Sequence, residues 1–188
     1  LSVPCEHCPG LWTGTDFLER YNTGRPLSAG DHLAVVGGGN TAIDVARVGR
    51  RCGAQVTVLY RRTLQEMPAI EAEIKEAVDE GVEFMDLATP VEVLRAQSGE
   101  LRGLVVQRMR PGALEGDGRH VPEPIPGTTF ELPATSVIVA VSQEADLRGL
   151  EDTAPDPGTS TGVESKESRV SFSGDVLHLG IASAAIAE

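Results

Sequence analysis

The sequence predicts an α/β fold of three layers, in which a parallel sheet carries an antiparallel β excursion. Residues 31–60 read as strand, glycine-rich turn, helix and second strand, which is the order that opens a βαβ unit. The continuous apolar run Ser136–Val141 is typical of a parallel strand buried on both faces. Between these, the alternating segments that follow Pro90 are separated by turn signals and indicate antiparallel pairing.

Composition and charge exclude several classes of function. The chain has 188 residues, enough for one domain or for one domain with pieces of another. Its net charge of -12 repels phosphate backbones and anionic lipid, and its 4% aromatic content leaves little surface for base stacking. No run of about 18 apolar residues and no apolar leader is found. We therefore expect a cytoplasmic protein that binds neither nucleic acid nor membrane.

The first 30 residues are rich in Pro and Gly and predict a lead-in segment. Within it, Thr15 is expected to cap a short helix that buries Phe17, Leu18 and Tyr21. The chain starts at Leu1 and stops in the helix-forming run IASAAIAE without a capping residue, so we expect an excised fragment.

The βαβ unit begins at Asp31, with the strand HLAVV and then the turn GGGN. The helix that follows has small residues on one face, which lets it lie close to a sheet. These residues are Ala42, Val45, Ala46, Gly49 and Gly53. Val56–Tyr60 is expected to be the parallel second strand.

A second helix is expected from Pro68 to Glu80, because Pro suits a first turn and Gly81 a C-terminal end. Its expected buried stripe is Ile70, Ile74, Ala77 and Val78. A third strand at 82–85 should follow, and then the antiparallel excursion. In it, the segments 91–96 and 100–109 are separated by a Ser-Gly turn, and a long loop of Pro and Gly leads from them to 128–132. Residues 151–168 predict a mobile polar loop.

The glycine-rich turn Gly37-Gly38-Gly39-Asn40-Thr41-Ala42 fits the dinucleotide pattern G-x-G-x-x-A, and it lies between a strand and a helix as that pattern requires. Gly37 permits the tight turn, Gly39 lets a pyrophosphate approach the backbone, and Ala42 lets helix and strand pack closely. The pyrophosphate would bind at the helix N-terminus, where free N–H groups and the dipole attract anions. A turn that only packs, or a methyltransferase turn for a sulfonium nucleoside, also fits the motif alone.

The end of the second strand indicates which dinucleotide binds. Sites for NAD usually carry an acidic residue about 20 positions after the glycines, whereas a 2′-phosphate requires arginine. Here the strand ends in Tyr60-Arg61-Arg62. Two adjacent arginines in so acidic a chain favour a phosphate partner and therefore NADPH, although solvated surface arginines would give the same sequence.

Five segments together resemble the NADPH-dependent flavin oxidoreductases typified by the small subunit of glutamate synthase, in the pyridine nucleotide-disulfide oxidoreductase superfamily. Dihydropyrimidine dehydrogenase and thioredoxin reductase are related to this family. The segments are CPGLWTGTDFLERYN, VVGGGNTAIDVARVGRRCGAQVTVLYRR, EMPA with DEGVEF, VIVAVSQEADL and SGDVLHLGIASAAIAE. They occur in the family's order and cover nearly the whole chain.

The resemblance implies a Rossmann-like NADPH domain inserted into an FAD domain. Residues 1–30 would leave the FAD domain, 31–143 would form the NADPH-binding domain, and 144–188 would be a mobile loop and the return, where Gly174 and Asp175 contact the flavin. The first FAD-binding half and the iron-sulfur segment are not in this sequence, so we expect no tightly held FAD. The expected partners are that FAD domain, the iron-sulfur segment and an electron-accepting subunit.

By the same resemblance, Gly37, Gly39, Asn40 and Thr41 would touch the pyrophosphate, and Arg61 and Arg62 the 2′-phosphate. Asp44 would lie near the nicotinamide. Ser142-Gln143 stands where the family has Gly-Gln or Gly-Arg, also near the nicotinamide, and a side chain there would hinder the nucleotide. Hydride transfer between the cofactors needs no acid-base residue, and none is expected.

Cysteines and histidines leave further alternatives open. Cys5-Glu6-His7-Cys8 could be a redox pair of the thioredoxin reductase kind or the start of a zinc site. The remaining thiol, Cys52, falls on the predicted buried face of the first helix, and His32, His120 and His178 have no ligand spacing. A dinucleotide-sensing module that does not turn over is the other class of function compatible with this fold.

Overall fold

The computed structural model describes residues 10–25, 27, 29–141, 169–173 and 176–180, the last two ranges as backbone alone. Its centre is a parallel sheet of five strands. They are β1 (Leu11–Thr13), β2 (His32–Val36), β3 (Gln55–Leu59), β4 (Glu83–Met85) and β8 (Ser136–Val139), in the order β1-β8-β2-β3-β4. From β2 the chain proceeds to β3 and β4 on one side and returns to β8 on the other. The two directions therefore diverge at β2, the position where ligands bind in open α/β sheets.

Three helices cover one face of this sheet. They are α1 (Gly14–Asn22), α2 (Asn40–Arg51) and α3 (Glu71–Asp79). Phe17, Ile43 and Val45 are fully buried there against Leu33, Val35 and other inward side chains of the parallel strands. Gly49 lies close to the sheet, because a Cβ at this position would come 2.5 Å from Leu33 Cδ2. The small residues predicted to let α2 approach the sheet therefore do so.

An antiparallel sheet covers the opposite face. Its strands are β5 (Ala88–Arg95), β6 (Leu101–Leu114) and β7 (His120–Pro133), in that order. Leu104 and Val106 are fully buried against Ala34, Val36 and Val137 of the parallel sheet. A separate antiparallel pair is formed by β9 (Arg169–Ser173) and β10 (Val176–Gly180). The three-layer fold with a parallel sheet and an antiparallel excursion is thus confirmed.

The start of α1 differs from the sequence prediction. Thr13 is the N-cap residue, in extended conformation, and its Oγ1 accepts a hydrogen bond of 3.2 Å from Asp16 N. Thr15, the predicted cap, already lies inside the helix. Phe17 is buried as expected, but Tyr21 is 41% exposed. β1 precedes α1 and pairs with β8, so residues 11–22 belong to the sheet and its helical layer.

The end of α2 also differs. The helix stops at Arg51, and Gly53, with φ of +92°, lies beyond it and not on its buried face. Cys52 is the C-cap residue and is exposed, so its predicted burial is wrong. Because Gly53 adopts a left-handed conformation, the helix ends before Cys52 and Gly53, and neither residue lies on its buried face.

The helix α3 begins at Glu71 rather than at Pro68, because a 3₁₀ turn at Leu64–Glu66 and an extended segment precede it. Of the predicted buried stripe, Ala77 is buried and Ile74 is half-buried, whereas Ile70 and Val78 are each 53% exposed. Arg47 of α2 reaches Glu76 and Glu80 at 2.8 Å each. The contact between α2 and α3 is therefore made partly by these salt bridges and not only by the predicted apolar stripe.

The predicted long loop of the excursion is largely strand. β6 continues to Leu114 and β7 starts at His120, so the five residues Glu115–Arg119 are what joins them. The prolines of β7 are tolerated because β7 is an edge strand and its pairing with β6 has two register shifts. Among the described residues, the helices are all too short or too polar to cross a membrane.

Candidate functional site

The glycine-rich turn joins β2 to α2 at the carboxyl edge of the parallel sheet. Gly37 has φ of +146°, and its N–H donates to Leu59 O at 3.1 Å. A Cβ on Gly37 would lie 2.4 Å from Ala140 O, and a Cβ on Gly38 would lie 2.5 Å from the Tyr60 ring. The turn therefore passes so close to its neighbours that both positions require glycine.

Gly39 differs from the two glycines before it. It is the N-cap residue of α2, with φ of -87° and ψ of 174°, and has no side chain to cap the helix. A Cβ added there would meet nothing within 4 Å. The N-terminus of α2, with its free amides and positive dipole end, therefore faces open space at the edge of the sheet. This arrangement fits an anionic group such as a pyrophosphate.

The next residues hold the turn in place. Asn40 Oδ1 accepts a hydrogen bond of 3.0 Å from Ile70 N, and Gly38 O accepts one of 3.2 Å from Ala69 N. Ala42 is fully buried, as predicted for close packing. Thr41 is half-buried, and Asp44, one turn along α2, is exposed. Asn40 was predicted to contact the pyrophosphate, but its side-chain oxygen is already hydrogen-bonded to Ile70, the N-cap residue of α3.

Arg62 is a buried side chain, with 7% of its surface exposed. Its Nη2 donates to Glu115 Oε2 at 2.8 Å and its Nε donates to His120 O at 2.8 Å. Both acceptors lie at the turn between β6 and β7. Arg62 is therefore not a solvated surface arginine, and its guanidinium is occupied by this turn.

Arg61 is half-buried and makes no salt bridge or hydrogen bond with another side chain in the described part of the chain. Burial lowers the pKa of its guanidinium, and the adjacent positive charge of Arg62 lowers it further. The negative charge of Glu115 offsets part of this effect, but no carboxylate among the described residues makes a salt bridge with Arg61. An anion that reached this desolvated cation would stabilise it.

Glu66 connects the residues after β3 to the β6–β7 turn. Its carboxylate accepts hydrogen bonds from His120 N at 2.6 Å and from Thr63 Oγ1 at 2.7 Å, and it lies 3.0 Å from His120 Nδ1. The backbone N–H of His120 is the largest cause that lowers the pKa of Glu66 to about 2, followed by the Thr63 hydroxyl. The spacing of Thr63 and Glu66, which is that of a capping box, is the sequence signal that could have identified Glu66. His120, to which the sequence assigned no role, completes this network.

Several predicted residues lie outside the described part of the chain. These are Cys5, Cys8, Ser142, Gln143, Gly174 and Asp175. Among the residues that are described, no group of three or more His, Cys, Asp or Glu side chains is arranged to hold a metal ion.

Curated relatives match most of this chain. The NADPH-Fe(3+) oxidoreductase subunit beta of Geobacter sulfurreducens is 43% identical over 140 residues, which is 74% of this chain and 21% of the relative. The NADP(+)-dependent formate dehydrogenase subunit beta of Moorella thermoacetica is 42% identical over 76% of this chain and 20% of the relative. The glutamate synthase [NADPH] small chain of Azospirillum brasilense is 37% identical over 70% and 27%. The chain thus spans about a fifth to a quarter of the length of these relatives.

Solved structures support the same fold. FprA of Mycobacterium tuberculosis, in complex with NADPH, superimposes with a TM-score of 0.63 and 21% identity, over 84% of this chain and 48% of FprA. The family described as pyridine nucleotide-disulphide oxidoreductase matches residues 3–187. Because that match covers nearly the whole sequence and the described layers have the fold of such a reductase, the chain belongs to the pyridine nucleotide-disulphide oxidoreductase family.

Proposed function

We propose that this chain binds NADPH and holds it for hydride transfer to FAD, as the NADPH-binding part of an electron-transfer flavoprotein that resembles the glutamate synthase small subunit. One observation carries the proposal. An open glycine-rich turn at the N-terminus of α2 lies beside a strand whose end bears Arg61, a half-buried cation that makes no salt bridge within the described part of the chain.

The turn fits the pyrophosphate of a dinucleotide. Gly39 leaves space for a phosphate oxygen to approach the backbone, and the first amides of α2 are the donors that the oxygen would meet. Gly37, Gly38 and Ala42 act indirectly, because they hold the turn against Ala140 and Tyr60 and hold the helix against the sheet.

Arg61 fits the group that distinguishes NADPH from NADH, the 2′-phosphate of the adenosine ribose. Arg62 supports it by fixing the turn between β6 and β7 with its own hydrogen bonds. We therefore assign the phosphate contact to Arg61 and a positioning role to Arg62.

When bound, NADPH would supply a hydride, and the flavin of the longer protein would accept it and pass the electrons on singly. The residues of this chain bind and orient the nucleotide, and none is required to move a proton. We propose that the FAD domain, an iron-sulfur segment and an electron-accepting subunit complete the enzyme. The names of the relatives support this, since two are beta subunits and one is a small chain.

Calorimetric titration of the 188-residue chain with NADPH and NADH tests the proposal. We expect tighter binding of NADPH, and loss of that preference in Arg61→Gln. A hydrogen bond to a charged group contributes about 1.5–3 kcal/mol, so NADPH binding should weaken roughly 10- to 150-fold while NADH binding stays within about twofold. Arg102→Gln is the matched control, because Arg102 is an exposed arginine of β6 that is paired with Glu131.

Equal binding of the two nucleotides, or no binding of either, would refute the NADPH assignment. A second experiment, on the longer parent protein, distinguishes an oxidoreductase from a module that only senses the nucleotide. Bleaching of flavin absorbance by NADPH supports the oxidoreductase, whereas nucleotide binding without flavin reduction supports the sensor.

A further inference from the structure

The turn between β6 and β7 lies over the carboxyl end of β3. Arg62 reaches it twice, at Glu115 Oε2 and at His120 O, each at 2.8 Å. Glu66 reaches it through His120 N at 2.6 Å. These contacts fix the residues on both sides of Arg119, so the side chain of Arg119 is presented at the end of β3.

Arg119 is held in a defined orientation. Its Nε and Nη2 donate to Asp117 Oδ2 at 2.9 and 2.6 Å. Its guanidinium also interacts with the Tyr60 hydroxyl, and its side chain is 39% exposed. Because Asp117 uses two of the five N–H donors, the guanidinium keeps donors for a further acceptor.

Arg119 and Arg61 are the chain neighbours of two residues in contact, since Arg119 precedes His120 and Arg61 precedes Arg62, whose Nε donates to His120 O at 2.8 Å. The positive charge of Arg119 is one of the causes that lower the pKa of Arg61. Glu115 and Asp117 form salt bridges with Arg62 and Arg119, whereas Arg61 has no salt bridge among the described residues and only the more distant charge of Glu115 favours it. Two of these three arginines are paired with carboxylates, so a phosphate would meet the charge of Arg61 and the N–H donors of Arg119 that Asp117 does not use.

This cluster is continuous with the glycine-rich turn. The ring of Tyr60 packs directly on Gly38, and the Tyr60 hydroxyl interacts with Arg119 and donates to Glu66 O at 2.9 Å. A nucleotide with its pyrophosphate on α2 would therefore extend its adenosine ribose toward the side where Arg61 and Arg119 lie.

We propose that Arg119, from the antiparallel excursion, is a second cationic ligand of the nucleotide 2′-phosphate, beside Arg61. Specificity for NADPH is then shared between the parallel sheet and the turn that Arg62 and Glu66 hold over it. This inference rests on the proposed function, since it assigns a further residue to the same site.

The test uses two probes that differ in one group. Adenosine 2′,5′-bisphosphate and adenosine 5′-monophosphate are titrated calorimetrically into the full chain and into Arg61→Gln, Arg119→Gln, Arg119→Lys and Arg102→Gln. We expect Arg119→Gln to weaken the bisphosphate about tenfold and the monophosphate less than twofold. Arg119→Lys should restore part of the preference because it keeps the charge, and Arg102→Gln should match the original chain.

The outcomes separate this inference from the proposed function. No preference for the bisphosphate in the original chain overturns both. Loss of the preference in Arg61→Gln, together with an unchanged preference in Arg119→Gln, overturns the role of Arg119 and leaves the NADPH site intact. If Arg119→Gln lost the same factor of affinity for the bisphosphate and for the monophosphate, the role of Arg119 would also be overturned, because the turn would then affect binding through packing alone.

Discussion

Adjacent glycines in the turn after β2 meet opposite surroundings. A Cβ on Gly38 would overlap the ring of Tyr60, which is buried, whereas a Cβ on Gly39 would meet only open space. Gly39 also has a negative φ that any residue can adopt. Gly38 is therefore required by the folded chain, whereas the fold places no such requirement on Gly39.

This contrast gives a paired prediction. Gly39→Ala should lower the free energy of unfolding by at most about 1 kcal/mol, because the methyl group meets no neighbour and alanine is only a poorer N-cap than glycine, yet it should weaken NADPH binding at least about tenfold by blocking the pyrophosphate. Gly38→Ala should lower the free energy of unfolding by roughly 1–3 kcal/mol through overpacking. Urea unfolding and calorimetry on the two variants measure both effects. Unchanged NADPH binding by Gly39→Ala would remove the turn from the proposed site.

The neighbouring arginines should also separate in their effects. Arg62→Ala leaves Glu115 and the His120 carbonyl without their partner, so it should lower the free energy of unfolding by roughly 1–3 kcal/mol. Arg61→Ala removes a desolvated charge that makes no salt bridge among the described residues, and it should not destabilise the chain. The urea midpoints, at unchanged denaturant dependence, report the difference. Similar midpoints for the two variants would contradict the assignment of Arg62 to the β6–β7 turn.

At the level of elements, one carboxylate joins the 3₁₀ turn after β3 to the start of β7. Glu66 has a pKa of about 2 in the folded chain, below its ordinary value of 4.5, and its side chain is 12% exposed. A depressed pKa means that the unfolded chain binds the proton more readily. The stability that this group contributes is therefore complete above about pH 5 and is lost as the pH falls from about 4.5 toward 2.

We accordingly predict that acidification weakens the fold partly through Glu66. Its contribution at neutral pH should be about 3 kcal/mol, and Glu66→Gln should be less stable at pH 7 while approaching the original chain near pH 2. Unfolding by urea at several pH values measures this, with the exposed Glu83→Gln as a control. If the gap between Glu66→Gln and the original chain stayed constant over that range, the carboxylate would not be the titrating group.

The elements themselves were predictable where their signals are local. The order β2, turn, α2 and β3 follows from hydrophobic period and glycine, and Gly81, with φ of +87°, ends the last turn of α3 as predicted. The cap of α1 at Thr13 was missed because two threonines compete, and only pairing of β1 with β8 fixes which of them is extended. The length of β6 was missed because Pro111 and Gly112 indicate a loop, whereas pairing with β7 keeps this segment in the strand.

Over the whole molecule, the parallel sheet is shared by two apolar cores. Trp12, the single tryptophan, packs against the core on the helical face, and Leu104 is fully buried in the core on the opposite face. Both cores contain side chains of the same parallel strands, so loss of packing in one should destabilise the other.

Leu104→Ala should therefore lower the free energy of unfolding by about 2–5 kcal/mol and shift the urea midpoint of Trp12 fluorescence as far as that of far-UV circular dichroism. Leu114→Ala, at a position 65% exposed, should change neither midpoint appreciably. A fluorescence midpoint that did not move in Leu104→Ala would mean that the two layers unfold independently.

The sequence by itself determined the fold class, the position of the glycine-rich turn and the family, because each depends on residues close together in the chain. Gly37, Gly39 and Ala42 lie within six positions, and the strand, turn and helix that they predict follow from local backbone geometry. The tertiary structure decided which of the two adjacent arginines is held by a salt bridge. Arg61 and Arg62 are equivalent in the sequence, but among the described residues Glu115, 53 positions later, accepts a hydrogen bond from Arg62 and not from Arg61. The tertiary structure also places the turn that carries Arg119 beside Arg62. Partners so distant along the chain are determined by how the layers pack.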